Sequence, residues 1–416
     1  MVETPRLDVR AIALLAIAFF APAADAQPDR FVPHQVIVKF APATPLADAV
    51  SLRASVGATV TRRFATIDAE LWEMTGIGVP EAVGRLKSDR RIEYIEPNYI
   101  VQAVDLFPND PRFATQWNLH NTGQTNGTAD ADIDAPEAWS LRTGGDVLVG
   151  VIDTGVDWRH EDLAASIFVN TREIPDNRID DDGNGFIDDV RGWDFVNEDN
   201  DPDDDNGHGT HVAGTIAAIG NNGVGVTGVA WTARILPLKF MSAIGFGSTS
   251  DAIRAVEYAT MMGVRLTNNS WGGIGFSRSL RDAVEAARDA NIMFVAAAGN
   301  AGLNTDVTPH YPSGLDVENV ISVGSTDHND ERSTFSNYGV ASVDLGAPGT
   351  DVVSTYTDDR YAIASGTSMA APHVAGAVCL LWSVAPSLTY AEVKQAILSS
   401  VDPIPALQGF TVTGGR

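Results

Sequence analysis

The sequence predicts an α/β protein in which a parallel sheet lies between two layers of helices, preceded by a small α+β unit. Two features of the chain predict this organisation. Between residues 30 and 103 the elements follow the order βαββαβ, and from about residue 116 hydrophobic strands alternate with helical segments. The length of 416 residues also exceeds one ordinary core, so two or more domains are expected.

The first unit is predicted to have the ferredoxin-like arrangement, of which the order βαββαβ is typical. Runs rich in β-branched and aromatic residues mark its strands, and apolar residues at helical spacing mark its helices. The predicted strands are Gln35–Phe40, Thr59–Phe64, Glu70–Met74 and Arg91–Gln102, and the predicted helices are Pro45–Ser55 and Val79–Ser88. The unit carries no chemical motif of its own.

The second unit is predicted to be a three-layer parallel-sheet domain. Its buried strands are predicted at Val147–Ile152, Ala233–Lys239, Gly263–Thr267, Ile292–Ala296 and Val320–Val323. Its amphipathic helices are predicted at Ser250–Met262, Ser279–Ala290 and Tyr390–Ser399. Ligands of such sheets bind beyond the carboxyl ends of the strands, so we expect the functional site there.

The charge of the chain is strongly negative and unevenly distributed. A formal net charge of −26 is the wrong sign for attraction to phosphate, so no nucleic-acid partner is expected. From Asp176 to Asp205 nearly every second residue is Asp, Glu or Asn. Because Cys379 is the only cysteine, no intrachain disulfide can form, and a bound metal is a candidate source of stability.

Residues 1–26 have the pattern of a secretory signal peptide. Arg6 and Arg10 give a positive start, Ala11–Phe20 is a short apolar run, and Ala24–Ala26 fits a small-x-small cleavage site. The run is about half of the ~20 residues that a membrane span needs, and no later stretch is long enough either. We therefore expect a secreted protein, extracellular or periplasmic, without a membrane span.

Asp153 is the first of three candidate catalytic residues. Nucleophilic catalysis by serine needs a base within hydrogen-bond reach and a carboxylate that orients this base. Asp153 ends the apolar strand in the segment VIDTGVD, where a rigid sheet edge would hold its carboxylate. Asp-Thr-Gly also carries the carboxylate of aspartic proteases and can be a plain structural turn, so this motif alone leaves the alternatives open.

His208 is the candidate base, in the segment NGHGTHVAG. Gly207 and Gly209 allow close backbone approach, and the residues after them open a helix through Val212–Ala218. One imidazole nitrogen could then face a carboxylate and the other a hydroxyl. Metal ligation by His208 and His211 is the alternative, but the glutamate of the HExxH motif and a third ligand are missing.

Ser368 is the candidate nucleophile, in the segment SGTSMAAPHVAGAV. Gly366 allows a tight approach, and the small residues that follow let a helix lie deep inside the domain. A serine at the amino end of such a helix gains from its positive potential and from free backbone N–H groups. Ser368 could instead merely cap the helix. Cys379 lies on the same helix face and is expected to be a buried, inert thiol.

Together, the three motifs resemble those of the subtilisin family of serine proteases. The order Asp153, His208, Ser368 is the subtilisin order and differs from those of chymotrypsin-like and α/β-hydrolase enzymes. The resemblance covers roughly Asp110 to the end. It implies a secreted serine endopeptidase that works through an acyl-enzyme, with Asp153 orienting the base, His208 as general base and Ser368 as nucleophile.

The resemblance extends to the first unit, which is similar to the inhibitory propeptide of the family and closes with the segment IEYIEPN. It implies a self-processed precursor with a signal peptide at 1–26, a propeptide at 27–105 and a subtilisin-like catalytic domain at 106–416. The chain ends at residues 413–416, where the family usually continues into a last helix, which is compatible with a truncated product or a fragment.

Further segments resemble the substrate cleft of the family. FVAAAGN implies Asn300 as the side-chain donor to the oxyanion, beside the backbone N–H of Ser368. Two segments imply the strands between which a peptide substrate lies. They are Gly245, Phe246 and Gly247, and Ser270, Trp271 and Gly272. Ala301 removes one possible charge from the specificity pocket, which favours an apolar or aromatic residue before the cleaved bond (P1). Tyr311-Pro312 resembles a cis peptide of the family.

The acidic segment between Asp153 and His208 is an insertion relative to simple subtilisins and is predicted to bind structural calcium. Asp180, Asp182 and Asn184 fall at the first, third and fifth places of an EF-hand loop, and Asp188 or Asp189 could complete the shell. The twelfth place is Arg191 where that loop has Glu, so the match is partial. A merely solvated acidic loop is the alternative.

A second calcium site is implied by the resemblance alone. Its ligands would resemble those of the high-affinity subtilisin site. They are Asp162, Gln116, Asn222 and the carbonyls of Val224 and Val226.

Two other functions remain open at this point. One is a catalytically silent, calcium-dependent binding module that keeps the fold, which the loss of a triad residue would have favoured. The other is a proprotein convertase, which would carry a further β domain that is not seen here. For the leading hypothesis the expected partners are protein or peptide substrates and the chain's own propeptide, and a monomer is expected.

Overall fold

A computed structural model describes residues 31–42, 44–100 and 106–416. The predicted signal peptide at 1–26 lies outside the described residues. The described residues form two compact units, one up to residue 100 and the other from residue 106.

The small unit has the predicted βαββαβ order. Its elements are β1 (Phe31–Phe40), α1 (Leu46–Ser55), β2 (Ala58–Phe64), β3 (Ala69–Met74), α2 (Val79–Leu86) and β4 (Ile92–Tyr99). The four strands form one antiparallel sheet in the order β2-β3-β1-β4. Val36, Val38 and Trp72 are fully buried in its core, together with apolar residues of both helices. The ferredoxin-like prediction is therefore confirmed.

The large unit is built on seven strands. They are β5 (Leu148–Asp153), β6 (Trp193–Asp194), β7 (Arg234–Lys239), β8 (Leu266–Asn269), β9 (Met293–Ala297), β10 (Val320–Thr326) and β11 (Leu345–Pro348). Their order is β11-β10-β9-β8-β5-β7-β6, and every neighbouring pair is parallel. The carboxyl ends of β5, β8 and β9 consequently meet at one edge. A separate antiparallel pair is formed by β12 (Val352–Tyr356) and β13 (Arg360–Ala364).

Helices cover both faces of this sheet. They are α3 (Ala135–Leu141), α4 (His208–Ala217), α5 (Thr249–Met261), α6 (Arg278–Asp289), α7 (Thr367–Val384) and α8 (Tyr390–Ser399). Buried residues of α4, α7 and α8 join one side of the sheet in a single core cluster. Those of α5 and α6 join the other side in a second cluster. The predicted three-layer α/β architecture is confirmed.

Helix α7 is the longest helix in the described part of the unit and lies in its core. Its small residues permit close packing: a Cβ added at Gly376 would lie 2.5 Å from the Cβ of Val229. Among the described residues α7 is the one helix with the length and composition to cross a membrane, but 67% of it is buried inside the protein. Such burial is typical of a core helix.

One predicted strand is displaced. The strand expected at Gly263–Thr267 begins only at Leu266, because Gly263 ends the preceding helix with φ of 72°. A glycine in this left-handed conformation is a common helix terminator. The strand consequently ends at Asn269, two residues beyond the predicted end, and so brings Ser270 to the sheet edge.

Candidate active site

Asp153 is the last residue of β5 and is completely buried. Its Oδ1 accepts hydrogen bonds from Nδ1 of His208 at 2.7 Å and from the backbone N–H of Thr154, also at 2.7 Å. Its Oδ2 has no hydrogen-bond partner among the described residues. The strand end thus presents a rigid, desolvated carboxylate to the Nδ1 side of the imidazole.

His208 is the first residue of α4. Gly207 precedes it with φ of 103°. Gly209 follows it and packs against Gly155, so that a Cβ on Gly209 would lie 2.0 Å from the carbonyl oxygen of Gly155. Burial lowers the pKa of His208, but the charge of Asp153 and its hydrogen bond outweigh burial and place the pKa above its ordinary value. The side chain is still 30% exposed, which leaves the ring accessible from the cleft.

The carboxylate of Asp204 connects residues that are adjacent to Asp153 with residues that are adjacent to His208. Its Oδ1 accepts from the hydroxyl of Thr154 (2.8 Å) and the backbone N–H groups of Asn206 (3.0 Å) and Gly207 (2.9 Å). Its Oδ2 accepts from the backbone N–H (2.9 Å) and hydroxyl (2.6 Å) of Thr210. Asp204 therefore joins the end of β5 to the start of α4, and the sequence analysis missed it.

His211, the alternative metal ligand, lies away from this group. Its Nε2 contacts the carbonyl of Val352 at 3.1 Å, and burial lowers its pKa to about 4. The Nδ1 of His208 already contacts Asp153. The geometry supports a structural role for His211.

Ser368 is the second residue of α7 and lies beside the end of β8. Its Oγ donates to the carbonyl of Ser270 at 3.0 Å, while the hydroxyl of Ser270 donates back to the carbonyl of Ser368 at 2.9 Å. No hydrogen bond joins Ser368 to His208 among the described residues. Catalytic hydrogen bonds are often long in enzymes without substrate, so this arrangement is compatible with a resting nucleophile.

Asn300 follows β9 and is oriented by α7. Its Oδ1 accepts from both the backbone N–H (2.8 Å) and the hydroxyl (2.9 Å) of Thr367. The amide group is therefore fixed with its Nδ2 unpaired among the described residues, 3.4 Å from the position of a Cβ on Gly366. A pre-oriented, unpaired N–H donor is what stabilisation of an oxyanion requires.

The predicted substrate-binding residues line one cavity of about 470 Å³ together with His208, Asn300 and Ser368. They are Gly245, Phe246, Gly247, Ser270, Trp271 and Gly272. Gly247 pairs with Met241, and Trp271 rests edge-on against Phe240 with ring centroids 4.9 Å apart. The two segments follow β7 and β8, which places them at the same sheet edge as Asp153.

His310 also lines this cavity, and the sequence analysis did not single it out. Its loop contains the expected cis peptide between Tyr311 and Pro312. Tyr311 pairs with Gly273 through two backbone hydrogen bonds, which brings the loop against the segment after β8. A histidine before a predicted cis-proline was the available signal.

The acidic insertion gathers Asp182 and Asp189, which were considered in the prediction, together with Glu173, which was not. Oxygen atoms of Glu173, Asp182 and Asp189 all lie within 4.8 Å of one another. Asp180 instead accepts from the backbone N–H groups of its own turn, and Asp188 accepts from those at positions 177 and 178. Burial raises the pKa of Asp189, with a contribution from the charge of Asp182.

A second acidic pair occupies the place of the other predicted calcium site. Asp162 accepts from the side chain of Asn222 (2.8 Å) and the backbone N–H of Val226 (2.9 Å). Asp110, which the sequence analysis missed, accepts from the backbone N–H of Asn222 at 3.3 Å. Burial raises the pKa of Asp162 to about 6, and the charge of Asp110 adds to this effect.

The remaining predicted ligands of this second site contribute differently. The side-chain amide of Gln116 is used by the backbone of Thr227, to which it donates at 2.8 Å and from which it accepts at 2.9 Å. Asn222 and Val226 contact Asp162 directly, and the side-chain oxygen of Asn222 accepts from the backbone N–H of Val224 at 2.7 Å. Two of the predicted residues, Asn222 and Val226, therefore contact Asp162, whereas the side-chain amide of Gln116 is occupied by Thr227.

This fold and this cleft define the class of serine proteases. The comparison with known families identifies the family within this class. Residues 144–412 match the model of the subtilase family, and the chain belongs to that family. Residues 21–98 match the model of the fervidolysin N-terminal prodomain. The protein is thus a subtilisin-like serine proteinase that carries a propeptide.

Individual relatives agree with this assignment. The chain is 36% identical over 376 residues to a thermophilic serine proteinase of Bacillus sp. (strain AK1), covering 90% of this chain and 83% of the relative. It is 37% identical to thermitase of Thermoactinomyces vulgaris, covering 71% and 92%. A solved structure of a cold adapted subtilisin-like serine proteinase is 33% identical, with a TM-score of 0.53, covering 65% of this chain and 89% of that one.

The contact between Asp153 and His208 predicts the titration of the histidine. In a Ser368→Ala protein, used to prevent self-digestion, we expect NMR of the imidazole to give His208 a pKa above 6.5. Asp153→Asn removes the charge that raises the pKa, so burial should then bring it below 6.5. His211 is the internal control, since it should stay neutral in both proteins down to about pH 4. An unchanged His208 titration in Asp153→Asn would contradict the proposed electrostatic coupling.

Proposed function

We propose that this chain is a secreted, self-processing endopeptidase in which Ser368 is the nucleophile, His208 the general base and Asp153 the carboxylate that orients the base. The observation that carries the proposal is the 2.7 Å contact between Asp153 and His208 in the cleft that also holds Ser368. A silent binding module has no need of this constellation.

The chemistry starts from the resting serine. Ser368 Oγ exchanges its hydrogen bond with Ser270 for one with Nε2 of His208, which accepts the hydroxyl proton as Oγ attacks the peptide carbonyl. The Oγ–C bond forms and the C–N bond breaks when the imidazolium returns the proton to the leaving amine. A water molecule, deprotonated by His208, then hydrolyses the acyl-enzyme. Asp153 stabilises the imidazolium and remains ionised throughout.

The oxyanion is held by two donors in this proposal. One is Nδ2 of Asn300, whose Oδ1 is already fixed by Thr367. The other is the backbone N–H of Ser368, in the first turn of α7, where N–H groups have no helical acceptor. Both donors are positioned before substrate arrives, so they stabilise charge without reorganisation.

The substrate backbone is proposed to lie between residues 245–247 and 270–272. Both segments flank the cavity, and neither belongs to a strand of the sheet. Their free edges can accept an extended peptide by backbone hydrogen bonding, which explains how a protease can accept varied sequences.

The precursor organisation is the remaining part of the proposal. We assign residues 1–26 to a signal peptide, 27–105 to an inhibitory propeptide and 106–416 to the catalytic domain. The catalytic domain would act as a monomer on protein or peptide substrates, outside the cell or in the periplasm. Support comes from the match of residues 21–98 to a prodomain model and from the division of the chain near residue 105.

Structural calcium is proposed at two places. In the insertion, Glu173, Asp182 and Asp189 offer an all-oxygen, largely buried donor set, which calcium prefers. At the second place, Asp110 and Asp162 are buried carboxylates that both contact Asn222. Burial raises the pKa values of both Asp110 and Asp162, and two such carboxylates repel each other unless a cation neutralises them, so the second place also fits a divalent ion.

The first test concerns Ser368. We expect purified Ser368→Ala protein to keep residues 27 to about 103 and to take up no serine-directed fluorophosphonate, because the nucleophile is absent. Ser365→Ala is the matched control in the same motif, and it should mature and label normally. Intact mass gives both readouts. Correct maturation of purified Ser368→Ala would overturn the self-processing proposal.

The second test concerns Asn300. Asn300→Ala should fold normally and lose about two to three orders of magnitude in kcat, the loss known for one such donor in subtilisin. The loss should fall on kcat because charge on the carbonyl oxygen develops only in the transition state. A variant that loses only in KM would show that Asn300 binds the substrate and not the oxyanion.

The third test concerns calcium. Thermal unfolding of Ser368→Ala should occur at a higher temperature in millimolar calcium than in excess EDTA, because an ion that binds only the folded state stabilises it. Asp182→Asn with Asp189→Asn should remove one part of the difference, and Asp110→Asn with Asp162→Asn the other.

The control for these variants has the same change of charge. Asp282→Asn with Asp316→Asn alters two exposed carboxylates outside both clusters and should leave the calcium effect intact. Identical melting curves with and without calcium would exclude both sites. A shift that survives one double variant unchanged would exclude the site that this variant removes.

A further inference from the structure

The imidazole of His310 lies against two segments of the cleft. A Cβ on Gly272 would lie 2.3 Å from its Cε1 and 2.9 Å from its Nε2. A Cβ on Gly299 would lie 2.9 Å from both its Cδ2 and its Nε2. All of these distances are shorter than van der Waals contact. Only glycine at positions 272 and 299 therefore leaves room for the ring. One edge of His310 therefore borders the gap between the two glycines.

This gap is where the side chain at P1 must go. That side chain branches from the carbon next to the attacked carbonyl, so it must lie within a few ångströms of both Ser368 and Asn300. Gly299 is adjacent to Asn300 in the chain, and Gly272 follows the Ser270 carbonyl that accepts from Ser368. All of these residues line the same cavity as His310. A P1 side chain that enters between the two glycines therefore meets the imidazole edge.

The hydrogen bonds of His310 determine what this edge offers. The hydroxyl of buried Ser313 donates to the carbonyl of His310 at 3.2 Å and contacts its Nδ1 at 3.2 Å. Both contacts are satisfied when Nδ1 carries the proton and donates to the hydroxyl oxygen. This tautomer leaves Nε2 as an acceptor, and Nε2 has no partner among the described residues.

The ring is uncharged at neutral pH. Burial lowers the pKa of His310, and no Asp, Glu, Lys or Arg belongs to the part of the cavity lining that the structure describes. His208 is the other titratable residue of that lining. Nothing in the described cleft therefore stabilises an imidazolium at His310, and the lone pair of Nε2 is retained.

We infer that His310 is the residue that determines specificity at P1, and that it selects side chains that end in a hydrogen-bond donor, above all glutamine and asparagine. The inference rests on the function proposed above. A P1 amide donates to Nε2, whereas a P1 carboxylate of the same shape has no donor and places its charge against a lone pair. An apolar P1 side chain leaves Nε2 without a partner. This preference differs from the apolar or aromatic preference expected from the sequence.

The test is a series of peptides that differ only at P1, with glutamine, glutamate, methionine or phenylalanine. For the mature enzyme at pH 8 we expect kcat/KM for glutamine to exceed those for glutamate and methionine by about tenfold or more, the discrimination that one hydrogen bond in a poorly solvated pocket gives. His310→Ala should remove the advantage over methionine and raise kcat/KM for phenylalanine, because the pocket becomes deeper and apolar.

A second variant separates hydrogen bonding from pocket size. Ser313→Ala leaves the imidazole in place but removes the partner of Nδ1, so the tautomer with a proton on Nε2 becomes accessible. The ratio of glutamate to glutamine cleavage should then rise, while phenylalanine stays poor. A merely structural role of His310 would not produce this reversal.

The outcomes distinguish this inference from the proposed function. Absence of fluorophosphonate labelling and of all peptide cleavage in the mature wild-type protein would overturn the proposed function itself. An active wild-type enzyme that cleaves after phenylalanine or methionine faster than after glutamine would overturn the role of His310. An unchanged P1 profile in His310→Ala would overturn it as well.

Discussion

The geometry of the cleft depends on the hydrogen bonds that the carboxylate of Asp204 accepts. A buried helix start leaves backbone N–H groups that must find acceptors, and at α4 the two oxygens of Asp204 supply them. The same carboxylate accepts from Thr154, directly after Asp153. The buried ammonium of Lys239 strengthens this junction, since it donates to the carbonyl of Thr154 at 2.7 Å and pairs with Asp205 at 2.6 Å.

This junction connects the acidic insertion to the chemistry. The insertion ends in residues 203–205, so the last of its carboxylates hold the start of α4, and earlier ones form the cluster of Glu173, Asp182 and Asp189. Much of the net charge of −26 is thereby concentrated in one stretch beside the catalytic edge. A cation bound in the cluster would stabilise the same stretch of chain that positions His208.

Local patterns were sufficient to predict the layers of the fold and the residues of the proposed triad, because strand ends, helix starts and glycines leave their mark in adjacent residues. Contacts between distant segments left no such mark. Asp110 approaches Asp162 and Asn222 only because the chain folds. Glu173 approaches Asp189 across an irregular loop, which has no helical or strand periodicity in the sequence. His310 reaches the cleft only because its loop pairs with Gly273. These residues could not be predicted from spacing alone.

The burial of α7 has a consequence for how this enzyme can change. The helix that presents Ser368 is also a main component of the core, so the segment that carries the proposed nucleophile and the segment that resists unfolding are one piece of chain. A side chain larger than glycine at position 376 would displace the helix as a whole and shift the serine two turns away. Mutational drift and laboratory evolution therefore have room at exposed positions outside the cleft, and very little in α7.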